Sequence, residues 1–416
     1  MIVRARIVLP ITAPPVEDGA VLISGDRIQW VGAWKDLAPH ASVPVEDLGE
    51  VILLPGLVNA HCHLEYTHLA GVLAPPKSFP DWIKSILTAK SAWGFSDYAL
   101  SWMDGARQLL QSGTTTVADI VSVSELLDVV RPSSPLRIHS FLEMTGIRSR
   151  RPAEDIVSDA ARLLSSLPGP PETVGLSPHA LYSTTPELLK VTARVAAERR
   201  WKISMHVSES ISEFEMFMYA RGPMFDWLVP QRARPDCGTG SPVRICEHAG
   251  ILTPDFIAAH VNYLWQDDAH RLASHGAHVA HCPQSHSYFR HHRFPRVELQ
   301  AAGVNVCLGT DSLASTRTSS ARRPRLSLFD EMTALSHFDS VITPREILGL
   351  ATRNGARALG LAGQVGGLAV NSLADFITLP FHGSLVDAEA RVTTHTGNVQ
   401  TTWVGGNCVW RNPDRT

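Results

Sequence analysis

Apolar and polar positions alternate at both ends of the chain. "MIVRARIVL", "GAVLISGDRIQWVGAW" and "VILLP" read as short strands, with turns at "PPVEDG" and "SGD". Near the other end, "ADFITLP" and "VQTTWVGGNCVW" share this character, and Gly405–Gly406 marks a hairpin in the second. Between the ends the pattern changes to strands alternating with helices such as "PELLKVTARVAAERR" and "PREILGLATRNGARALG". That alternation predicts a parallel α/β sheet. Eight strands are expected at 56–63, 114–120, 136–143, 174–180, 202–207, 256–261, 277–282 and 304–311. Polar residues recur at their C-terminal ends. A (β/α)8 TIM barrel gathers such residues in one mouth, so it is favoured over an open doubly wound sheet. The expected organisation is a barrel over 56–362 and a small composite β-sandwich from 1–55 and 363–416, with loops or insertions at 234–242 and 319–327.

Composition narrows the picture. The 416 residues are 44% hydrophobic, enough for a large core. A net charge of −3 offers no footprint for nucleic acid. No apolar run is long enough to cross a membrane. The alternating N-terminus lacks the continuous apolar stretch of a signal peptide. Six scattered cysteines suit a reducing compartment, so a cytoplasmic protein is expected. The 19 histidines direct the search to metal and acid–base chemistry.

The first barrel strand ends His61-Cys62-His63 and the fifth His206-Val207-Ser208-Glu209; the sixth carries His260, the seventh His281 and the eighth Asp311. Residues two apart on a strand face the same side, so His61 and His63 point together and Cys62 away. Singly, each has an ordinary explanation: a chance His-x-His, a core histidine, a turn or cap aspartate. Together, imidazoles and a carboxylate at one end of a barrel suit one divalent ion, zinc or iron. A bridged pair of ions commonly uses a carboxylated lysine late in the fourth strand, and "VGLSPHALYS" has none. The expected ligands are therefore His61, His63, His206 and Asp311, with His260 free to hydrogen-bond a water at the metal. Glu209 is placed to carry protons, or to serve as an acid at the start of the following helix.

At this point the chain resembles the amidohydrolase superfamily over nearly its whole length. "PGLVNAHCHLE", "HVSE", "AAHVNYL", "HCPQSH" and "LGTDSLAS" occur in that order, followed by "VGGLAVNSLADF". The His-x-x-Glu after strand five resembles the branch of cytosine, adenosine and S-adenosylhomocysteine deaminases and chlorohydrolases, which usually hold one metal ion. "HCHLEYT", "SFPDWI" and "HCPQSHSYF" are similar to the aminodeoxyfutalosine deaminases of the menaquinone pathway, which remove the 6-amino group of an adenine-like nucleoside carrying a benzoate. "STRTSSARRPRLSLFDEM" is longer than the link usual at that place. The resemblance implies release of ammonia from a small nucleoside, with Glu209, His260 and Asp311 catalytic and a homodimer among the open assemblies. Adenosine-type or triazine and ring-amide hydrolysis are the alternatives, and an inactive barrel relative is opposed by the complete ligand set.

Substrate contacts are less determined. Glu65 is placed to meet a ribose or amino group, or to form a loop salt bridge. His179 is placed to reach the base or sugar, or to pack in the core. One of His281 and His286 is expected to line the pocket and the other to support it. Phe79, Trp82 and Ile83 form either an apolar wall or a helix packed on the rim. Arg148, Arg150, Arg151, Arg322, Arg323 and Arg325 are candidates for a substrate carboxylate, against a solvated-loop reading. Cys237, Cys246 and His248 lack a fourth ligand for a second zinc site, and His68 is expected to bind nothing.

Overall fold

The computed structural model describes residues 1–37, 43–233, 235–318 and 323–415. The first five strands are β1 (Ile2–Val8), β2 (Val16–Ser24), β3 (Arg27–Ala33), β4 (Val45–Asp47) and β5 (Val51–Pro55). Eight barrel strands follow: β6 (Leu57–Cys62), β7 (Thr114–Val121), β8 (Arg137–Met144), β9 (Val174–Pro178), β10 (Lys202–Val207), β11 (Phe256–His260), β12 (His278–His281) and β13 (Asn305–Leu308). Three more, β14 (Phe376–Pro380), β15 (Thr401–Val404) and β16 (Asn407–Arg411), complete the chain.

Strands β6 to β13 lie side by side in chain order, and each pairs in parallel with the next. An isolated parallel bridge between Cys62 and Asp311 closes the first strand onto the end of the last. This is the TIM barrel expected from the sequence. Its helices bury one face each. The helix Pro186–Arg199 starts where the Thr185 hydroxyl accepts from Leu188 N at 3.2 Å, with proline in its first turn. It buries Leu188, Thr192 and Ala196, spaced by four, and stops at the left-handed Arg200.

The terminal strands form one further sheet in the order β16-β15-β14-β5-β1-β2-β3, with β4 also on β1. Both ends contribute to a shared core that includes Val3, Val21, Ile28, Phe376 and Trp403. β15 and β16 form the expected hairpin, in which Gly405 and Gly406 take φ of 56° and 75°. The two bodies are joined closely. β5 runs into β6 through Gly56, and Arg137 at the start of β8 pairs with buried Asp375 at 2.5 Å. Among the described residues no helix is long and apolar enough to cross a membrane.

Candidate active site

The histidines of three barrel strands converge. Donor atoms of His61, His206, His260 and Asp311 all lie within 4.8 Å of one another, and all four residues are buried. His63 joins them, with Nε2 at 3.2 Å from His206 Nε2 and 3.7 Å from Asp311 Oδ1. The four expected ligands and His260 thus form one five-residue cluster. Among the described residues, no other group of three or more such side chains meets the same test.

The local chain conformation explains the convergence. Ser208, His260, Val261 and Asp311 all take left-handed φ, at 52°, 73°, 50° and 51°. Such backbone is costly for non-glycine residues and persists only where the surroundings hold it. Here Val261 N donates to Val207 O at 2.9 Å, Asn262 N to Ser208 O at 3.0 Å, and Asp311 N to His61 O at 3.1 Å. Gly309 permits the last contact, since a Cβ there would stand 2.7 Å from His61 O.

The donor set suits a metal ion. His61 Nδ1 and Nε2, His63 Nδ1 and His260 Nε2 are buried without any hydrogen-bond partner, an arrangement that otherwise costs free energy. His206 Nδ1 lies 2.8 Å from the carbonyl of His179. Donation to that acceptor leaves Nε2 as a lone pair facing the cluster. Burial first, then the neighbouring imidazoles, pushes His61 and His63 well below the ordinary histidine range, and burial lowers His206 to about 4. Neutral imidazoles are the form that binds metal. Asp311 Oδ2 accepts from the Ser315 hydroxyl at 2.8 Å, so Oδ1 remains toward the histidines.

Glu209 lies beside this cluster, with Oε1 at 3.7 Å from His260 Nε2. Its expected alternative role at the helix start is filled by another residue. Glu213 accepts from Ser208 N at 3.1 Å and Glu209 N at 2.8 Å, while Ser210 caps the same helix, Ile211–Tyr219. The Glu209 carbonyl accepts from Asn262 Nδ2 at 2.8 Å. Burial, then the charges of Asp311 and Glu213, raises the Glu209 carboxyl well above its ordinary range. Glu213 and Asn262 were not singled out from the sequence. The Ser210-x-x-Glu213 spacing is a capping-box signal that was available for the first.

A cavity of about 360 Å³ opens over the cluster and is lined by His63, His206, Glu209 and Asp311. His179 lines it too, with Nδ1 at 2.6 Å from the Ser183 hydroxyl, and burial lowers its pKa to about 4. Trp82 and Ile83 form part of the wall, and Trp82 Nε1 donates to Ala314 O at 3.2 Å. Phe79 packs behind them, with its ring centroid 5.6 Å from Trp82. Arg148 reaches the rim, where its Nε and Nη2 donate to Gln231 Oε1 at 3.0 and 2.6 Å.

Other sequence candidates sit elsewhere. Glu65 is fully buried behind the wall. Its carboxylate accepts from Ser122 N, the Ser122 hydroxyl and Val123 N, and it is absent from the cavity lining. Its short-range position after His63 suggested the mouth, but the helical turn Leu64–Leu69 carries it back toward β7. His281 stacks on Phe294 at 3.7 Å and lines a separate depression together with His286. His286 instead supports the site indirectly, with Nδ1 at 3.0 Å from Asn262 Oδ1. Cys62 packs in the core, and His68 pairs with Asp104 near the surface at 2.7 Å. Arg151 pairs with Asp159, Arg150 and Arg323 are exposed, and Arg325 donates to Gly397 O at 2.7 Å. Arg322 lies outside the described residues.

Residues 52–409 match the model of the amidohydrolase family. A 5-methylthioadenosine/S-adenosylhomocysteine deaminase of Nitratidesulfovibrio vulgaris is 31% identical over 376 residues, covering 88% of this chain and 80% of that one. A 5'-deoxyadenosine deaminase of Methanothermobacter thermautotrophicus is 29% identical over 391 residues, covering 89% and 84%. Among solved structures, Helicobacter pylori aminofutalosine deaminase in complex with methylthio-coformycin has a TM-score of 0.86 at 22% identity, covering 98% of this chain and 100% of that one.

Proposed function

The chain belongs to the amidohydrolase family, and on that premise we propose that it is a metal-dependent deaminase acting on an adenosine-type nucleoside. The observation that carries this reading is Glu209, held 3.7 Å from His260 in the cavity that Asp311 also lines. His61, His63, His206 and Asp311 would hold one divalent ion, with zinc the best match to three imidazoles and a carboxylate. Such an ion supplies a Lewis acid that brings the pKa of water toward ~7.

The chain's own residues account for the proton movements. His260 Nε2, without another partner, orients the attacking water. Glu209, whose carboxyl burial raises above its ordinary range, takes one proton from that water and gives it to the ring nitrogen beside the amino-bearing carbon. Asp311 passes the second proton to the exocyclic nitrogen. The carbon–nitrogen bond then breaks, ammonia leaves, and a ring carbonyl remains. His179, beside His206 in the same cavity, is placed to meet the base.

The finer reading concerns the 5' substituent. Ile83, Ile86, Ile147 and Trp227 give the cavity apolar sides, and Arg148 stands at its rim. An aromatic carboxylate such as the benzoate of aminodeoxyfutalosine suits both features, an apolar ring for the wall and a carboxylate for the guanidinium. S-adenosylhomocysteine offers its carboxylate and methylthioadenosine only apolar bulk. Ammonia release from these three, adenosine and 5'-deoxyadenosine by the zinc-loaded protein tests the reading. Turnover is expected to favour a 5'-substituted adenosine, and highest with aminodeoxyfutalosine. Metal-replete protein that releases no ammonia from any of them would sink the deaminase assignment.

A further inference from the structure

The depression lined by His281 and His286 encloses about 580 Å³ and shares no lining residue with the nucleoside cavity. Three exposed arginines, Arg290, Arg293 and Arg317, also line it. Arg290 and Arg293 come from the segment between the helices Pro283–Tyr288 and Arg296–Ala301, and Arg317 from the loop after β13. Arg317 is anchored there, its Nη2 donating to Ser287 O at 2.9 Å. Among the described residues, no ion pair or side-chain hydrogen bond engages Arg290 or Arg293. One carboxylate lines the depression, that of Asp339, and Arg296 Nε already holds it at 2.6 Å. The three guanidiniums therefore keep an uncancelled positive charge.

The histidines are neutral. Burial, then the neighbouring imidazoles, pushes His281 well below the ordinary histidine range, and burial lowers His286 to about 4. His281 is 3% exposed, and its Nδ1 has no hydrogen-bond partner. A buried polar atom left in that state calls for an explanation. Guanidinium forks match the oxygens of carboxylates and phosphates. A carboxylate has two oxygens and one charge, enough for a single fork. A phosphate dianion has oxygens for more than one fork and twice the charge, and Coulomb attraction grows with charge. Phe338, 58% exposed, and Leu335 give the depression an apolar side for the remainder of a phosphorylated small molecule.

His286 also connects the depression to the active site. Its Nδ1 lies 3.0 Å from Asn262 Oδ1, and Asn262 Nδ2 donates to Glu209 O at 2.8 Å. We propose that the depression is an accessory site for a phosphate group, and that its occupation is transmitted through His286 and Asn262 to Glu209. The binding is independent of the deaminase reading above; the transmission rests on it.

Isothermal titration calorimetry of the zinc-loaded protein tests the site with inorganic phosphate, ribose 5-phosphate and acetate at constant ionic strength. Zinc content is measured throughout, because phosphate also competes for the metal. The wild type is compared with Arg290→Gln/Arg293→Gln and with Arg148→Gln, which alters only the nucleoside cavity. Phosphate should bind the wild type and Arg148→Gln alike, acetate about 10-fold more weakly, and the double variant should lose about 10-fold or more in phosphate affinity. Tighter binding of ribose 5-phosphate than of phosphate supports the site with a phosphomonoester as its occupant, and equal binding supports it with phosphate itself. No phosphate binding, acetate binding as tight as phosphate, or a double variant that binds like the wild type would overturn the site. For the transmission, saturating phosphate should change kcat of ammonia release at least about fivefold in the wild type. It should leave kcat constant in the double variant, and in His286→Phe that still binds phosphate and melts like the wild type. A kcat indifferent to phosphate in the wild type, or equally responsive in all three proteins, overturns the transmission. A protein that releases no ammonia from any adenosine removes the deaminase reading and the transmission with it, while calorimetry still decides the site.

Discussion

Asn59 Nδ2 donates to the Thr310 hydroxyl at 2.8 Å, and Thr310 N returns a bond to Asn59 Oδ1 at 3.1 Å, across 251 positions of sequence. Both side chains are buried. The pair fastens the first barrel strand to the segment after the last one, and so sets His61 and His63 against Asp311. Asn59→Ala removes both bonds and leaves the Thr310 N–H only its second acceptor, the His61 carbonyl at 3.0 Å. The expected cost is about 1–3 kcal/mol of stability and about 10- to 100-fold in zinc affinity. Chemical denaturation and competitive chelator titration measure the two effects, and an unaltered zinc affinity would show that the pair does not position the ligands.

Glu209→Gln keeps the size of the side chain but cannot exchange the same proton. Zinc content and melting temperature should match the wild type, while kcat falls about 100- to 10,000-fold. Near-normal turnover with full metal occupancy would remove Glu209 from the proton path.

Glu213 acts on Glu209 through the backbone. Its truncation to alanine leaves Ser208 N and Glu209 N as buried donors without partners, at an expected cost of about 1–3 kcal/mol. Because those two residues lead directly to the Glu209 carboxylate, the proposed proton carrier, kcat should fall more than KM changes. Crystallography of the variant should find the Glu209 side chain displaced; an undisturbed side chain with full activity would refute the positioning role.

Removal of metal should lower the melting temperature, because an ion that binds only the folded state stabilises it by mass action. Added zinc should restore both stability and ammonia release. Calorimetry of chelated and zinc-restored protein follows the change, and identical melting curves would contradict a site built from these buried imidazoles.

His139 provides a pH-dependent contrast away from the cluster. Burial lowers its pKa to about 4 in the folded protein from an ordinary value of 6.5. Between these values the unfolded chain binds a proton that the folded chain does not, so this histidine's contribution to stability is full above about 6.5 and declines as the pH falls toward 4. His139→Gln removes that dependence. Its stability relative to the wild type should improve between pH 7 and pH 5, whatever the offset at neutrality. Parallel denaturation curves at both pH values would show that His139 does not titrate in this way.

The sequence by itself determined the barrel strands and much of the cluster. A strand's period of two and a helix's period near four are local properties, so the eight strand positions and the shared orientation of His61 and His63 were visible without any long-range contact. The chemistry of the strand ends was visible for the same reason, since His206, His260 and Asp311 stand at the C-terminal ends of the fifth, sixth and eighth strands.

Only the tertiary structure decided which of the neighbouring polar groups face the cavity. Glu65 is two residues from His63, yet its carboxylate is satisfied by Ser122, 57 positions away, just past the end of the next strand. His281 ends a barrel strand like the others, but stacking on Phe294 turns it into a different depression. Glu143 and Lys90 carry no local signal and come to line one cavity only because β8 and a helix end border it. Side-chain direction beyond a strand end depends on packing and hydrogen-bond partners brought from distant segments, and a one-dimensional pattern contains no record of that competition.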